Sequence, residues 1–310
     1  MKSALVLVRT PFQAFLVSSV IAEEAINTFD LIYFTQHDAL EDRHYYAGLA
    51  ERAEKATYCH APARRFDILA YLDWFRQSRR WMHNRNYDVT LLASIDNYIL
   101  NAIASRQRDA ELVTFDDGTG NFFRSGFYHV DHANRRGRLY RRAFGARDLD
   151  DLKASIARHY TLHPQFENIV PHGRIRPIAE WKGVTRRRTG SVRTFFIGAP
   201  FQEVLRPEQI DKLTAYMRGQ SVDYYVKHPR ETLPLALGAP LLDKGGLIAE
   251  GAIIKAAGDH PIHIIGGLSS VQFNMAGQAA HRTMVLVDGT PGQDDMIFLG
   301  RAAGCEIVLL

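Results

Sequence analysis

Short apolar segments alternate with helical patterns along most of this 310-residue chain. Residues 3–8 are nearly all apolar, as in a strand that is covered on both faces. Thr10-Pro11 then predicts a helix start, because Thr is a good N-cap and Pro fits the first helical turn. The alternation continues with strands predicted at 29–34, 56–59, 87–93 and 111–115 and helices at 38–55, 66–84 and 97–106. It predicts a parallel sheet covered by helices.

The alternation is interrupted after residue 121 and begins again at Arg193. Within the interruption the sequence predicts loops, a helix over 149–159 and a linker near the arginine run 186–188. The second part predicts strands at 193–198, 224–226, 263–265, 283–287 and 305–309, and helices at 207–218 and around 234–237. We therefore predict an α/β protein with two Rossmann-like, doubly wound domains, residues 1–185 and 186–310, which face each other across a cleft.

The cysteine and charge content restricts the class of protein. Cys59 and Cys305 form no spaced cluster, which argues against a disulfide framework or a zinc site and favours a reducing cytoplasm. No apolar run approaches the roughly 18 residues that span a bilayer. The net charge is +4, and arginines cluster at 135–142 and 186–188, as on a solvated surface or a face that binds an anionic membrane or substrate. No nucleic-acid-binding motif is present, so we expect no nucleic-acid partner.

One predicted strand ends in a group of basic residues. Residues 224–226 are aromatic and β-branched, and Pro229, which has no N–H for a strand ladder, ends the strand. His228 is therefore expected at the carboxyl end of the strand, where ligands bind in open α/β sheets. Together with Lys227 and Arg230 it indicates a site for an anion, although a solvated basic turn would give the same pattern.

Two further strands run into residues that suit a binding site. The first, 112–115, leads into paired carboxylates and a glycine, Asp116-Asp117-Gly118. The second, 263–265, leads into glycines and a serine pair, Gly266, Gly267, Ser269 and Ser270. Adjacent carboxylates at a strand end point to opposite sides, so only one of the pair is expected to face the cleft. The alternative explanation is a helix cap followed by an ordinary glycine turn.

In this order, the acid pair, His-Pro and Ser-Ser resemble the shared motifs of bacterial sialyltransferases. The stretch from Leu5 to Ala14 resembles the start of glycosyltransferase family 52, the lipooligosaccharide sialyltransferases. The resemblance implies a GT-B fold with two Rossmann-like domains. It also implies a metal-independent, inverting transfer of sialic acid, or a related nonulosonic acid, from its CMP conjugate to a terminal galactose of a surface glycan such as lipooligosaccharide.

The resemblance further implies a role for each motif. Asp116, the first residue of the acid pair, is expected to act as the base for the acceptor hydroxyl, with Asp117 and Glu203 as rivals. His228 is expected to donate a hydrogen bond or a proton to the leaving phosphate. The serine pair is expected to hold phosphate oxygens at a helix start. The other residues expected to line the substrate are Gln13, Gly118, Lys227, Pro229, Arg230, Gly266 and Gly267.

The motifs and the family resemblance also predict the partners of the protein. No spaced Asp-x-Asp motif for a metal-bound nucleotide sugar is present, so we expect no metal ion and no cofactor, with CMP-sialic acid as the donor substrate. A glycan is expected as the acceptor, and the location is expected to be cytoplasmic. Peripheral contact with the anionic inner face of the membrane and a homodimer are further options.

Two other functions are compatible with the sequence. A GT-B glycosyltransferase with a different nucleotide-sugar donor would show the same strand-end motifs, because the family is functionally mixed. A non-catalytic protein that binds sugars or nucleotides would keep the fold with a degenerate site. Release of CMP from CMP-sialic acid, of UDP from a UDP-sugar, or of neither distinguishes the three functions.

Overall fold

The structure is a computed structural model, and it describes residues 1–61, 76, 85–130, 135–178 and 189–310. The chain divides into two compact units, the first over Met1–Ile178 and the second over the rest of the chain. The domain boundary predicted between residues 185 and 186 and the arginine run 186–188 lie outside the described residues. The helix predicted over 66–84 also lies outside them, apart from residue 76.

Within the described residues, the first unit contains a seven-stranded sheet in which all neighbouring strands are parallel. Its strands are β1 (Ser3–Val8), β2 (Thr28–Thr35), β3 (Lys55–His60), β4 (Val89–Leu92), β5 (Glu111–Phe115), β6 (Ile156–Thr161) and β7 (Ile175–Pro177). Their order is β3-β2-β1-β4-β5-β6-β7, so the direction of winding reverses between β1 and β4. Ligands of open α/β sheets bind at such a switch point, outside the carboxyl ends of the strands.

The helices of the first unit begin where the sequence supplies caps. They are α1 (Pro11–Glu23), α2 (Leu40–Ala50), α3 (Tyr98–Ala104), α4 (Arg135–Phe144) and α5 (Leu149–Ala154), with short 3₁₀ turns at Gly118–Asn121 and His172–Arg174. The Thr10 hydroxyl accepts the Gln13 backbone N–H at 3.2 Å at the start of α1. The Asn97 side chain accepts the first free N–H groups of α3 in the same way. Both faces of β1 are buried, as its apolar sequence predicts.

The helix predicted over 149–159 is wrong from Ser155 onwards. Helix α5 ends at Ala154, and the chain then forms β6, which pairs in parallel with β5 and is followed by β7. Pairing with β5 buries Ile156 and Tyr160, and this tertiary burial outweighs the helical spacing of the segment. His163-Pro164, a second His-Pro pair in the sequence, therefore also follows a strand, because β6 ends only two residues before His163.

The second unit contains a five-stranded parallel sheet of order β12-β11-β10-β8-β9 among the residues that the structure describes. Its strands are β8 (Arg193–Ile197), β9 (Tyr224–Val226), β10 (Ile262–Gly266), β11 (His281–Leu286) and β12 (Glu306–Leu309). Its helices are α6 (Phe201–Val204), α7 (Pro207–Arg218), α8 (Ala249–Ala257), α9 (Ser270–Asn274) and α10 (Gln293–Ala302). The switch point of this sheet lies between β8 and β10.

The helix predicted around 234–237 is wrong. The segment after β9 is irregular, and it then lies beside β9, where the Tyr225 N–H donates to the Pro240 carbonyl at 2.8 Å and the Leu242 N–H donates to the Tyr225 carbonyl at 2.8 Å. Pro234 and Pro240 each lack the N–H that a helix interior needs. The helix that follows is α8, which the sequence analysis did not predict.

The prediction of an α/β fold with two Rossmann-like domains is confirmed, since each unit has a parallel sheet with a switch point. In the described part of the chain, the structure shows no helix of the length and apolarity that crossing a membrane requires.

Candidate active site

The carboxylate of Asp117 lies at the switch point of the first sheet, just after β5. It accepts hydrogen bonds from Gln13 Nε2, from Ser94 Oγ at 2.9 Å and from the Tyr128 hydroxyl. Gln13 is fully buried, and its Oε1 accepts the Arg9 backbone N–H at 2.7 Å, which fixes the side chain. The carboxylate is half-buried and is held by three neutral donors, so its charge is oriented without being neutralised.

The residues after Asp117 explain this position. Gly118 has a φ of 69°, a left-handed conformation that glycine adopts without strain. The turn it starts brings Asn121 back, and Asn121 Oδ1 accepts the Asp117 backbone N–H at 2.6 Å. A Cβ atom on Gly120 would lie 3.3 Å from the ring of Tyr128, so the absence of a side chain there leaves room for that ring. The Gly-Thr-Gly sequence therefore places both Asp117 and one of its donors.

Asp116 points elsewhere. Its side chain is almost completely buried, and its Oδ2 accepts the Thr161 hydroxyl at 2.9 Å and the Leu162 N–H at 2.7 Å. His159 Nε2 lies 3.3 Å from its Oδ1, and His159 Nδ1 contacts the Thr114 hydroxyl at 2.8 Å. The two carboxylates of the pair therefore contact different sets of residues. Asp116 as the base remains a prediction, and this burial does not favour it.

Three residues near this site, Ser94, Asp96 and Tyr128, were not predicted from the sequence. Ser94 and Asp96 follow the carboxyl end of β4, so the rule that singled out Asp117 could have found them. Tyr128 follows no strand and gave no such signal. Burial and the negative charge of Asp117 raise the pKa of Asp96, whereas the positive charge of Arg9 acts to lower it. A hydrogen bond with Tyr128 likewise acts to lower the pKa of Asp96.

In the second unit, the turn after β9 is built on a buried glutamate. Glu231 accepts hydrogen bonds from the Tyr225 hydroxyl and from the His228 backbone N–H, the latter at 3.2 Å. His228 is half-buried, and its Nδ1 accepts the Arg230 N–H at 3.1 Å. The proton of the neutral His228 ring therefore lies on Nε2, because an accepting nitrogen carries no hydrogen. Burial raises the pKa of the Glu231 carboxyl.

The remaining predicted residues of the second unit lie on both sides of β8. Arg230 Nη1 pairs with Glu203 Oε2 at 3.5 Å, which joins the loops after β8 and β9. Lys227 and Pro229 are exposed in the same turn as His228. The serine pair follows β10, on the other side of β8.

The loop after β10 is closely packed at its start and capped at its end. A Cβ atom on Gly266 would lie 2.8 Å from the Ile197 carbonyl oxygen, so glycine permits the close approach of β10 and β8. Gly267 follows in the half-buried loop. The Ser269 hydroxyl accepts the Val271 N–H at 3.3 Å and caps α9, which begins at Ser270. The role of this loop in holding phosphate stays a prediction.

Each unit brings part of the predicted site together. Gln13, Asp117 and Gly118 lie together in the first unit, and Glu203, His228 and Arg230 lie together in the second. Across the described ranges, His, Cys, Asp and Glu side chains form no group of three or more that could hold a metal ion.

Comparison with known sequences gives consistent results. The sequence profile of glycosyltransferase family 52 matches residues 27–288. An N-acetyllactosaminide alpha-2,3-sialyltransferase of Haemophilus influenzae is 28% identical over 66% of this chain and 66% of its own length. One of the same name from Neisseria meningitidis is 24% identical over 70% of this chain and 60% of its own length. The chain thus spans less than two thirds of the length of these two relatives.

A third relative is a CMP-N-acetylneuraminate:beta-galactoside alpha-2,3-sialyltransferase of Pasteurella multocida. It is 25% identical over 75% of this chain and 74% of its own length.

Solved structures resemble this chain in fold. A protein assigned as a UDP-N-acetylglucosamine 2-epimerase from Listeria monocytogenes has a TM-score of 0.58 at 10% identity, over 97% of this chain and 83% of its own. Acinetobacter baumannii MurG has a TM-score of 0.51 at 12% identity, over 100% of this chain and 86% of its own. At these identities the likeness concerns the fold alone, and it confirms the prediction of a GT-B type architecture.

Proposed function

The chain belongs to glycosyltransferase family 52, and we propose that it transfers sialic acid, or a related nonulosonic acid, from its CMP conjugate to a terminal galactose. The names of the relatives from Haemophilus, Neisseria and Pasteurella support this donor, a β-galactoside acceptor and an α-2,3 linkage. The observation that carries the proposal in this chain is the carboxylate of Asp117, oriented by three neutral donors at the switch point of the first sheet.

We assign the base to Asp117 rather than to Asp116. The base must reach the acceptor hydroxyl and take its proton while the new bond forms. Asp117 is half-buried, whereas Asp116 is almost completely buried and its oxygens are occupied by groups of β6 and the residue after it. In the reaction, the acceptor O–H bond breaks and the proton passes to Asp117. The acceptor oxygen bonds the anomeric carbon, and the bond from that carbon to the phosphate oxygen of CMP breaks.

His228 suits the departing phosphate. The Arg230 N–H bound to Nδ1 and the Glu231 carboxylate bound to the His228 N–H hold the ring and its backbone. The tautomer with its proton on Nε2 can donate a hydrogen bond to the phosphate and can pass that proton to it as negative charge develops. The serines after β10 would add hydroxyl donors. The donor carries one phosphate, so we propose that His228 and these hydroxyls replace a metal ion and that no cofactor is needed.

The position of the enzyme in the cell is a further part of the proposal. Lipooligosaccharide as acceptor would place the reaction at the cytoplasmic face of the inner membrane. Helix α4 suits contact with an anionic surface, because it exposes Leu139 between Arg138 and Arg142. Cosedimentation with anionic vesicles, and its weakening by Leu139→Glu, tests this contact. A protein that fails to cosediment with anionic vesicles would contradict it.

A homodimer is the remaining part of the proposal. Strand β12 is an edge of the second sheet and exposes Leu309, and α10 exposes Phe298. A second copy that pairs at this edge would cover both side chains. Sedimentation velocity of the purified protein and of Phe298→Glu tests the dimer, and a monomer at micromolar concentration would contradict it.

The function is tested with isosteric variants of the acid pair. Asp117→Asn keeps the shape of the side chain and removes its basicity, so we expect transfer from CMP-sialic acid to lactose to fall roughly 10²–10⁴-fold while CMP affinity stays within a few-fold. Asp116→Asn is the matched control, and we expect it to lower stability more than it lowers transfer.

Three outcomes would contradict the proposal in different ways. A folded wild-type protein that releases no CMP from CMP-sialic acid refutes the activity. Release of UDP from a UDP-sugar would identify another donor. Normal transfer by Asp117→Asn together with an inactive, folded Asp116→Asn would return the base to Asp116.

A further inference from the structure

Arg9 follows β1 at the switch point of the first sheet, and a neutral side chain holds its guanidinium. Its Nη2 donates to Gln36 Oε1, in the loop after β2, at 2.9 Å. Both side chains are half-buried. Among the residues that the structure describes, no Asp or Glu oxygen forms an ion pair with Arg9. Its positive charge is therefore held in place by an amide rather than by a described carboxylate.

The position of Arg9 is linked to that of Asp117. The Arg9 backbone N–H donates to Gln13 Oε1 at 2.7 Å, and Gln13 Nε2 donates to the Asp117 carboxylate. Burial, then the charge of Asp117, raises the pKa of Asp96, and the positive charge of Arg9 opposes this rise. Burial also raises the pKa of Tyr128 well above its ordinary value, and Arg9 again acts in the opposite direction. The guanidinium is thus close enough to interact with the groups around Asp117.

We propose that Arg9 binds the carboxylate of the donor sugar, so that the site selects a nonulosonic acid over sugars that carry no carboxylate. This inference rests on the proposed function, in which Asp117 takes the proton of the acceptor hydroxyl. The acceptor oxygen and the anomeric carbon must approach to about 3–3.5 Å before they bond. In a nonulosonic acid the carboxylate is attached directly to the anomeric carbon. The reaction therefore brings this carboxylate into the surroundings of Asp117.

The charges at the site favour a cation there. The donor carboxylate approaches Asp117, whose three hydrogen-bond donors are all neutral. Two like charges in one site repel each other, and a neighbouring cation offsets this repulsion. The planar guanidinium carries five N–H groups, and Gln36 accepts from one of them. The others can therefore bind both oxygens of a carboxylate, which is the geometry that arginine favours.

Steady-state kinetics with lactose as acceptor tests the inference, because lactose is neutral and only the donor then carries a carboxylate. Arg9→Gln removes the charge and keeps the backbone N–H that holds Gln13. We expect it to lower kcat/KM for CMP-sialic acid roughly 10–100-fold, with the KM for lactose and the affinity for CMP within a few-fold of the wild type. Arg9→Lys keeps the charge and should lose less. Arg52→Gln, which replaces an exposed arginine of the same unit, is the matched control and should transfer normally.

A donor analogue separates direct binding from a structural role. The analogue carries a neutral carboxamide in place of the carboxylate of CMP-sialic acid. We expect the wild type to prefer the carboxylate donor roughly 10–100-fold more strongly than Arg9→Gln does, because the variant lacks the cation. Comparison between the two proteins cancels the intrinsic reactivity of each donor. A structural role would lower transfer from both donors equally, so an equal preference in the two proteins would overturn the proposal.

The outcomes distinguish this inference from the proposed function. If the wild type transfers sialic acid and Arg9→Gln does so equally well, Arg9 has no such role while the function stands. If the wild type consumes no CMP-sialic acid, the proposed function fails and the inference fails with it. If Arg9→Gln does not fold, Gln36→Ala replaces it, because loss of the anchor should weaken the preference for the carboxylate donor a few-fold. An unchanged preference in a folded Gln36→Ala would then overturn the proposal.

Discussion

Gly198→Ala should destabilise the second unit, because the added methyl group would clash with the buried side chain of Glu231. A Cβ atom at Gly198 would overlap Oε2 of Glu231 and would lie 2.8 Å from Cε1 of Tyr225. Neither neighbour moves freely, because the Tyr225 hydroxyl donates to Glu231 and accepts the Leu235 N–H at 3.1 Å. The carboxylate that must move is also the acceptor of the His228 N–H. An extra methyl group in the loop after β8 therefore disturbs the turn after β9.

The expected magnitude follows from these contacts. Overpacking by one methyl group costs about 1–3 kcal/mol, and a lost hydrogen bond to a charged acceptor costs about 1.5–3 kcal/mol. We therefore expect Gly198→Ala to lower the free energy of unfolding of the second unit by about 2.5–6 kcal/mol. Hydrogen exchange of peptides from β8 and β9 measures it, and calorimetric titration with CMP should show weaker binding because the His228 turn moves.

The control is Gly277→Ala in the same unit, where no atom lies within 4 Å of the added Cβ. A double variant, Gly198→Ala with Glu231→Ala, tests the cause, because removal of the carboxylate should make the added methyl group less costly by about 0.5–3 kcal/mol. A Gly198→Ala variant that is as stable as Gly277→Ala, or one that loses as much stability with Glu231 absent as with Glu231 present, would refute a clash with Glu231.

Other perturbations have equally definite expectations. His228→Ala should lower turnover roughly 10²–10⁴-fold with little change in hydrogen exchange outside its own turn, and near-normal turnover would remove its role as acid. Activity should survive EDTA, and a loss that Mg²⁺ or Mn²⁺ restores would show a metal requirement. Burial acts to raise the pKa of Glu24, but hydrogen bonds, led by that from Arg158, outweigh it and lower the pKa to about 2. The ionised Glu24 therefore stabilises the fold above about pH 4.5, and this stabilisation is lost as pH falls toward 2. Because Gln does not titrate, the free energy of unfolding of Glu24→Gln, measured with urea, should fall over this pH range by up to about 3 kcal/mol less than that of the wild type. Gly266→Ala should destabilise the second sheet by about 1–3 kcal/mol, because its Cβ would press on the Ile197 carbonyl; unchanged exchange of β8 and β10 amides would contradict this.

Local chemistry was sufficient to predict most of the elements. Thr10-Pro11 and the apolar run before it determine β1 and the start of α1, and these signals depend only on neighbours in sequence. The same holds for α7, which begins at Pro207 as predicted. Elements that depend on a distant partner were missed, such as β7, which is three residues long and pairs only with β6 in the described structure.

The positions of site residues were predictable to the level of the strand end. His228 and Asp117 were expected after β9 and β5 because ligands bind at the carboxyl ends of parallel strands. The partners that orient them were not predictable, because they come from other parts of the chain. Glu231 was not singled out although it stands three residues after His228, and Tyr128 reaches Asp117 only because of the turn at Gly118.

The orientation of the acid pair shows how one missed strand changes the functional assignment. The backbone N–H of Asp116 donates to the Tyr160 carbonyl of β6, and its carboxylate is bonded by Thr161 and by the Leu162 N–H. With 149–159 taken as a helix, no strand was predicted to place these groups beside β5, and either carboxylate could have faced the substrate. With β6 beside β5, Asp116 is held by Thr161 and the Leu162 N–H, and the neighbouring Asp117 carboxylate contacts Gln13 and Ser94 instead. The choice of the base in this protein therefore depends on a strand that comes about forty residues later in the sequence than the acid pair itself.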